Sequence, residues 1–151
     1  MSILNKVLSF LVGDRPILSD LKKLVLNSIK NSLTSIVIPI WYQQVQTINK
    51  VQRLPRSIEV NFYRMKNGKP QFDESLAFPN KTEELHVATV TVQSFDGKTL
   101  IANVWSVKGF LFSIEYNTSS DYFDELLGME PKPKVTFHCK LVAQLELPQL
   151  S

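Results

Sequence analysis

Two histidines, one cysteine and a few acidic residues are the natural candidates for acid–base or nucleophilic chemistry in this chain. His138 and Cys139 are neighbours, and a nucleophilic thiol needs a base to take its proton. Adjacent residues of a strand point to opposite faces, however. The alternation Val135, Phe137, Cys139, Leu141 puts Cys139 inward, where a thiol acts as a small hydrophobe. His138 falls with Thr136 and Lys140 on the other face, which leaves His86 as the imidazole that folding could bring to Cys139. Neither histidine sits in a helical zinc motif, so no metal site is expected.

Asp121, Asp124 and Glu125 are spaced so that a helix can group them, which suits acid–base work and equally a solvated helix face. Glu115 stands out in an otherwise apolar strand. With His86, Trp105 and Tyr116 it forms a candidate pocket, in which an indole N–H and a phenol supply the polar handles of an aromatic wall. No dinucleotide glycine fingerprint and no phosphate-cradling Gly-Lys-Ser/Thr loop occurs. No catalytic residue and no cofactor is assigned on this reading.

Charge is the stronger signal. The chain carries a formal net charge of +3, spread unevenly: residues 1–75 hold eleven Lys/Arg against five Asp/Glu, and residues 76–151 hold six against nine. The densest stretch is Lys50–Lys69, with Lys50, Arg53, Arg56, Arg64, Lys66 and Lys69 against Glu59 alone. Such a stretch is an electrostatic footprint if folding gathers it on one side. Arg53, Arg56 and Arg64 are the candidate partner-binding residues, directed at an acidic protein. Trp41, Phe62 or Tyr63 could stack on bases beside these cations, but no nucleic-acid-binding signature accompanies them.

These residues are positioned by a chain of 151 residues, 44% hydrophobic and 21% charged, a balance that folds as one domain over residues 1–151 without a metal or disulfide. A single cysteine suits a reducing compartment. No apolar run reaches the ~20 residues of a membrane span. A cytoplasmic protein is expected.

Ser2–Val12 has helical apolar spacing, fit to lie across the core edge or against a membrane or partner. A second helix is expected after Pro16, capped by Ser19 with Asp20 in its first turn. Its inner face is Leu21, Leu24, Val25 and Ile29, its outer side carries Lys22, Lys23, Asn27 and Lys30, and it ends near Asn31–Thr34. Ile36–Trp41 has no clear assignment, because Pro39 bars a regular central strand. Val45, Ile48 and Val51 suggest a third helix over Tyr42–Gln52.

From Ser57 the period becomes two. Ile58, Val60 and Phe62 share a face, and Asn67-Gly68 is a turn signal. Gly68–Glu84 is a polar excursion with a short extended segment near Ser75–Phe78. In Leu85–Asn117 three strands follow, joined at Asp96-Gly97 and Ser106–Gly109. Their expected face sets include His86, Ala88, Val90 and Val92, then Leu100, Ala102 and Val104, then Phe110, Phe112, Ile114 and Tyr116. Thr118 is placed to cap a short late helix ended by Gly128, and one long strand runs from Val135 to Leu147.

The resulting class is α+β: two or three N-terminal helices packed on a mainly antiparallel β-sheet of four to six strands, with one short late helix. Over eight residues, Gly109–Tyr116 resembles segments of small bacterial proteins that bind and neutralise toxins, a stretch too short to assign a family. The leading functional expectation is a non-enzymatic protein-binding or neutralising module with a basic interaction surface. A small-molecule or enzymatic pocket between sheet and helices comes second. RNA or single-stranded DNA binding comes third. Oligomeric state has no signal in the sequence.

Overall fold

The computed structural model describes residues 17–148; the helix expected over Ser2–Val12 lies outside them. The described elements are α1 (Asp20–Lys30), α2 (Ile38–Thr47), β1 (Lys50–Arg53), β2 (Glu59–Tyr63), β3 (Met65–Lys66), β4 (Lys69–Pro70), β5 (Glu84–Ser94), β6 (Thr99–Val107), β7 (Phe110–Tyr116), α3 (Asp121–Leu127) and β8 (Val135–Leu141). Short 3₁₀ turns occupy Pro55–Ser57 and Glu74–Leu76. The class is α+β, with a six-stranded sheet in the order β1-β2-β7-β6-β5-β8. Every pairing in it is antiparallel.

The meander β5–β6–β7 arises as the turn chemistry demands. Gly97 has φ +86° and Gly109 φ +90°, conformations that close tight hairpins and that glycine reaches without a Cβ clash. One face of the sheet is apolar. Val60, Ile114, Val104 and Ala88 stand in one row across β2, β7, β6 and β5, and all four are buried. Tyr116, Ala102, Val90 and Cys139 form the next row. Helices cover this face: α1 lies against β8 and β5, α2 against β7, and α3 against α1. A core side chain of this kind contributes about 1.5–3 kcal/mol on burial.

Two bulges break the expected alternation. The β5–β6 register shifts between His86 and Ala88, and Val87 is the extra residue. His86 therefore leaves the apolar face it was expected to share with Ala88 and stands beside Trp105 on the face opposite the described helices. The β6–β7 register shifts between Trp105 and Ser106, which makes Phe112 the extra residue. Leu111, not Phe112, joins Ile114 and Tyr116 on the helix face. The Phe112 ring packs edge-on against Tyr63 at 5.6 Å. Neither bulge carries a glycine to announce it.

The helices depart from expectation at three points. In α1, Ser19 caps the first turn by accepting the Lys22 N–H at 3.4 Å, but Lys22 is 1% exposed and Leu24 38%. Helical spacing groups residues 22, 25, 26 and 29, and packing on α3 draws that stripe, lysine included, under cover. The helix expected over Tyr42–Gln52 begins four residues earlier, with Pro39 in its first turn, where a missing N–H costs nothing. It stops at Thr47 because Asn49 turns the chain: its side chain donates to Met65 O at 2.8 Å and accepts from Met65 N at 2.7 Å. Val51 thus belongs to an edge strand. In α3 the cap position is Ser120 rather than Thr118, and Ser119 Oγ takes the Asp121 N–H.

Of the two other extended segments expected, one is replaced by a turn and one is shorter. The region near Ser75 is a 3₁₀ turn capped by Asp73, which accepts the Ser75 N–H at 3.0 Å. The last strand ends at Leu141. Asn80 then diverts the chain by donating from its side chain to Gln144 O at 2.8 Å and from its backbone to Leu145 O at 3.0 Å, which seats Leu145 in the core.

Candidate functional site

The basic stretch divides by register. Arg64 follows Phe62 by two, so it shares the helix face and is 8% exposed. Its Nε donates to Thr47 Oγ1 at 3.1 Å, Nη1 to Leu111 O at 2.9 Å and Nη2 to Gln44 O at 3.1 Å. Burial lowers its pKa to about 10. The expected trio of surface arginines is therefore reduced to Arg53 and Arg56, because Arg64 points inward.

Lys50, Arg53, Arg56, Lys66 and Lys69 are all exposed. None of them enters an ion pair among the described residues. Lys50 and Arg53 bracket β1, Arg56 lies in the β1–β2 corner, and Lys66 and Lys69 flank the Asn67-Gly68 turn. Among the described residues β1 is a sheet edge, paired through β2 alone. The Leu54 N–H donates to Glu59 O at 2.9 Å, and alternation along an antiparallel ladder gives the same inward facing to Gln52. The backbone N–H and C=O groups of Val51 and Arg53 then point outward.

The corner beside this edge is strained. Arg56 has φ +67° and Ser57 φ +55°, left-handed values that cost a residue with a Cβ about 1–2 kcal/mol. Three backbone bonds hold it: Leu54 N–H to Glu59 O at 2.9 Å, Tyr116 N–H to Ile58 O at 2.7 Å, and Ser120 N–H to Ser57 O at 3.0 Å.

The candidate pocket residues separate as well. His86 and Trp105 stack on the face opposite the described helices, with ring centroids 4.9 Å apart and planes inclined by 22°. His86 Nε2 lies 3.1 Å from Asn103 Oδ1 and 3.2 Å from Thr89 Oγ1, and that hydroxyl donates to Asn103 Oδ1 at 2.8 Å. Glu115 is in the row of Glu59, Asn103 and Thr89. Trp105 and Glu115 line a shallow cavity of about 220 Å³ with Glu59 and Asn61. His86 is outside its lining, and Tyr116 is on the opposite face, 6% exposed. The four side chains do not converge, and the cavity they were expected to form between sheet and helices is not where these residues lie.

Tyr116 belongs to a group that sequence reasoning missed. Burial, then the negative charge of Asp124, pushes its phenol well above the usual tyrosine range. Lys22 shares that surrounding: burial lowers its pKa, with Asp124 opposing and Arg53 reinforcing the shift. Lys22 Nζ donates to Ser19 Oγ at 3.2 Å, and Ser120 Oγ donates to Asp124 Oδ2 at 3.0 Å. Tyr116 Oη and Asp124 Oδ1 are buried with no hydrogen-bond partner among the described residues. The α1 stripe at 22, 25 and 29 was the available signal for Lys22.

His86 and Cys139 face opposite sides of the sheet, so no thiol–imidazole pair forms. Cys139 is half-buried and its pKa is raised, chiefly by burial. Among the described residues no three His, Cys, Asp or Glu side chains are grouped to hold a metal ion. None of the described helices is long and apolar enough to cross a membrane.

No protein-family model, no curated protein and no solved structure matches the chain.

Proposed function

We propose that the protein is a binding module that takes an extended, acidic segment of a partner protein along the outer edge of β1. The observation that carries this reading is the combination of outward backbone groups at Val51 and Arg53 with unpaired Lys50, Arg53 and Arg56 beside them. A peptide strand added to a sheet edge gains affinity from main-chain hydrogen bonds, and flanking cations select an acidic sequence. Edge strands are commonly guarded by charge against indiscriminate pairing. Here guard and selector are the same side chains. The strained Arg56 supports the reading, since backbone strain of this kind gathers at sites of use.

The test is a selection of unstructured ten-residue peptides from a random displayed library against the full chain, followed by titration of a selected peptide. Enrichment of Asp and Glu, affinity falling with salt, and slowed hydrogen exchange at the Val51 and Arg53 amides are expected. The double variant Arg53→Glu/Arg56→Glu should bind about tenfold or more weakly. Equal binding by that variant, or no added protection at those two amides, rules the reading out. Preferential binding of a mixed-sequence oligonucleotide over every selected peptide also rules it out, in favour of a nucleic-acid partner.

A further inference from the structure

A cavity of about 780 Å³ lies between the end of α2, the β3–β4 hairpin and the 3₁₀ turn at Glu74–Leu76. Its lining includes Arg64, Lys66, Met65, Leu76, Phe72 and Phe110. From these walls we infer that the cavity binds a small organic acid, whose carboxylate meets the Arg64 guanidinium and whose apolar body lies on Phe72 and Phe110.

A guanidinium carries five N–H donors, and three hydrogen bonds to protein acceptors are present on Arg64. Two N–H groups are left without a protein acceptor among the described residues. No carboxylate lies in salt-bridge range of Arg64 among them. A buried cation without a counter-ion is costly, and carbonyl oxygens offset that cost only in part. A carboxylate accepting from both remaining N–H groups would complete the fork geometry that guanidinium favours.

The walls set the rest of the ligand. Phe72 and Phe110 pack with centroids 5.1 Å apart and planes inclined by 52°. Phe110 is 3% exposed and Phe72 46%, so the pair presents one anchored ring and one open ring to the cavity. Asp73 is the carboxylate of the lining, and it is already engaged, accepting from Ser75 N at 3.0 Å and Ser75 Oγ at 2.6 Å. Lys66 adds a second positive charge at the rim. The volume suits a drug-sized molecule rather than a bare ion.

A set of aryl and branched aliphatic carboxylates, each paired with its primary amide, and inorganic phosphate are titrated into the full chain. Chemical shifts of the Arg64 Nε–H and of the Phe110 and Leu111 amides are followed. Expected is saturable binding of at least one carboxylate, about tenfold tighter than its amide, with the largest shift at Arg64. Phe72→Ala, an exposed change that leaves the core intact, should weaken that binding several-fold. Amides binding as well as carboxylates, or shifts centred away from Arg64, overturn the inference. Phosphate binding as tightly as every organic acid overturns the apolar part of the site.

Discussion

Gln44 accepts the Leu111 N–H at 2.7 Å across 67 positions of sequence, from the interior of α2 to the second residue of β7. The same side chain donates to Leu76 O at 2.7 Å and Gly109 O at 2.9 Å, and it is fully buried. One amide therefore ties a helix, a hairpin and a 3₁₀ turn together by satisfying backbone groups that none of them satisfies alone. Replacing it with Leu keeps the volume and takes this partner from the buried Leu111 N–H and the part-buried Leu76 O, while Gly109 O keeps the Phe78 N–H at 2.8 Å. Gln44→Leu is expected to lower stability by about 3 kcal/mol, read as a lower denaturant midpoint at unchanged slope.

Gly109 and Gly97 offer a matched comparison. Both have positive φ, so alanine is strained at either. A Cβ at Gly109 would meet Phe78 O at 3.1 Å and Lys81 Cγ at 3.2 Å, whereas at Gly97 nothing lies within 4 Å. Gly97→Ala should cost about 1 kcal/mol from the backbone alone. Gly109→Ala should cost clearly more, roughly 2–3 kcal/mol. Equal thermal midpoints for the two variants would contradict the packing of Phe78 against this turn.

Arg56 reverses the sign. Glycine accepts its left-handed φ without a clash, so Arg56→Gly should stabilise the fold by about 1 kcal/mol. The same change should weaken binding of an acidic peptide at β1. A melting temperature that rises while peptide affinity falls is the paired outcome; a fall in stability would show that the Arg56 side chain holds the corner.

The Lys22 and Tyr116 environments predict an alkaline profile with two limbs. A lysine whose folded pKa is depressed binds fewer protons folded than unfolded, so stability rises with pH from that depressed value up to 10.5. A tyrosine whose folded pKa is raised loses its contribution as pH climbs above 10. Lys22→Met should remove the rising limb and raise stability at pH 7 by on the order of 1 kcal/mol. Tyr116→Phe should flatten the falling limb at little cost, since its hydroxyl has no partner among the described residues. Urea denaturation at pH 7, 9 and 11 checks both, and unchanged limbs in the variants would place the titration elsewhere.

Local pattern alone decided much of this protein. Ser19 followed by Asp20 starts α1, and period-two runs joined at Asp96-Gly97 and Lys108-Gly109 make the meander; the alternation that puts Phe62 on the core face also carries Arg64 inward, against the surface role expected of it. These features depend on neighbours a few residues apart, whose sterics and hydrogen bonds operate in any context. Tertiary structure decided the rest. The bulges at Val87 and Phe112 moved His86 and Leu111 to opposite faces from those their alternation implied, because pairing with β6 and fitting the core outweighed local regularity. Lys22 was buried by a helix from the far end of the chain. The outward edge of β1 and the cavity over Arg64 exist through strand order and through Gln44, which link residues distant in sequence.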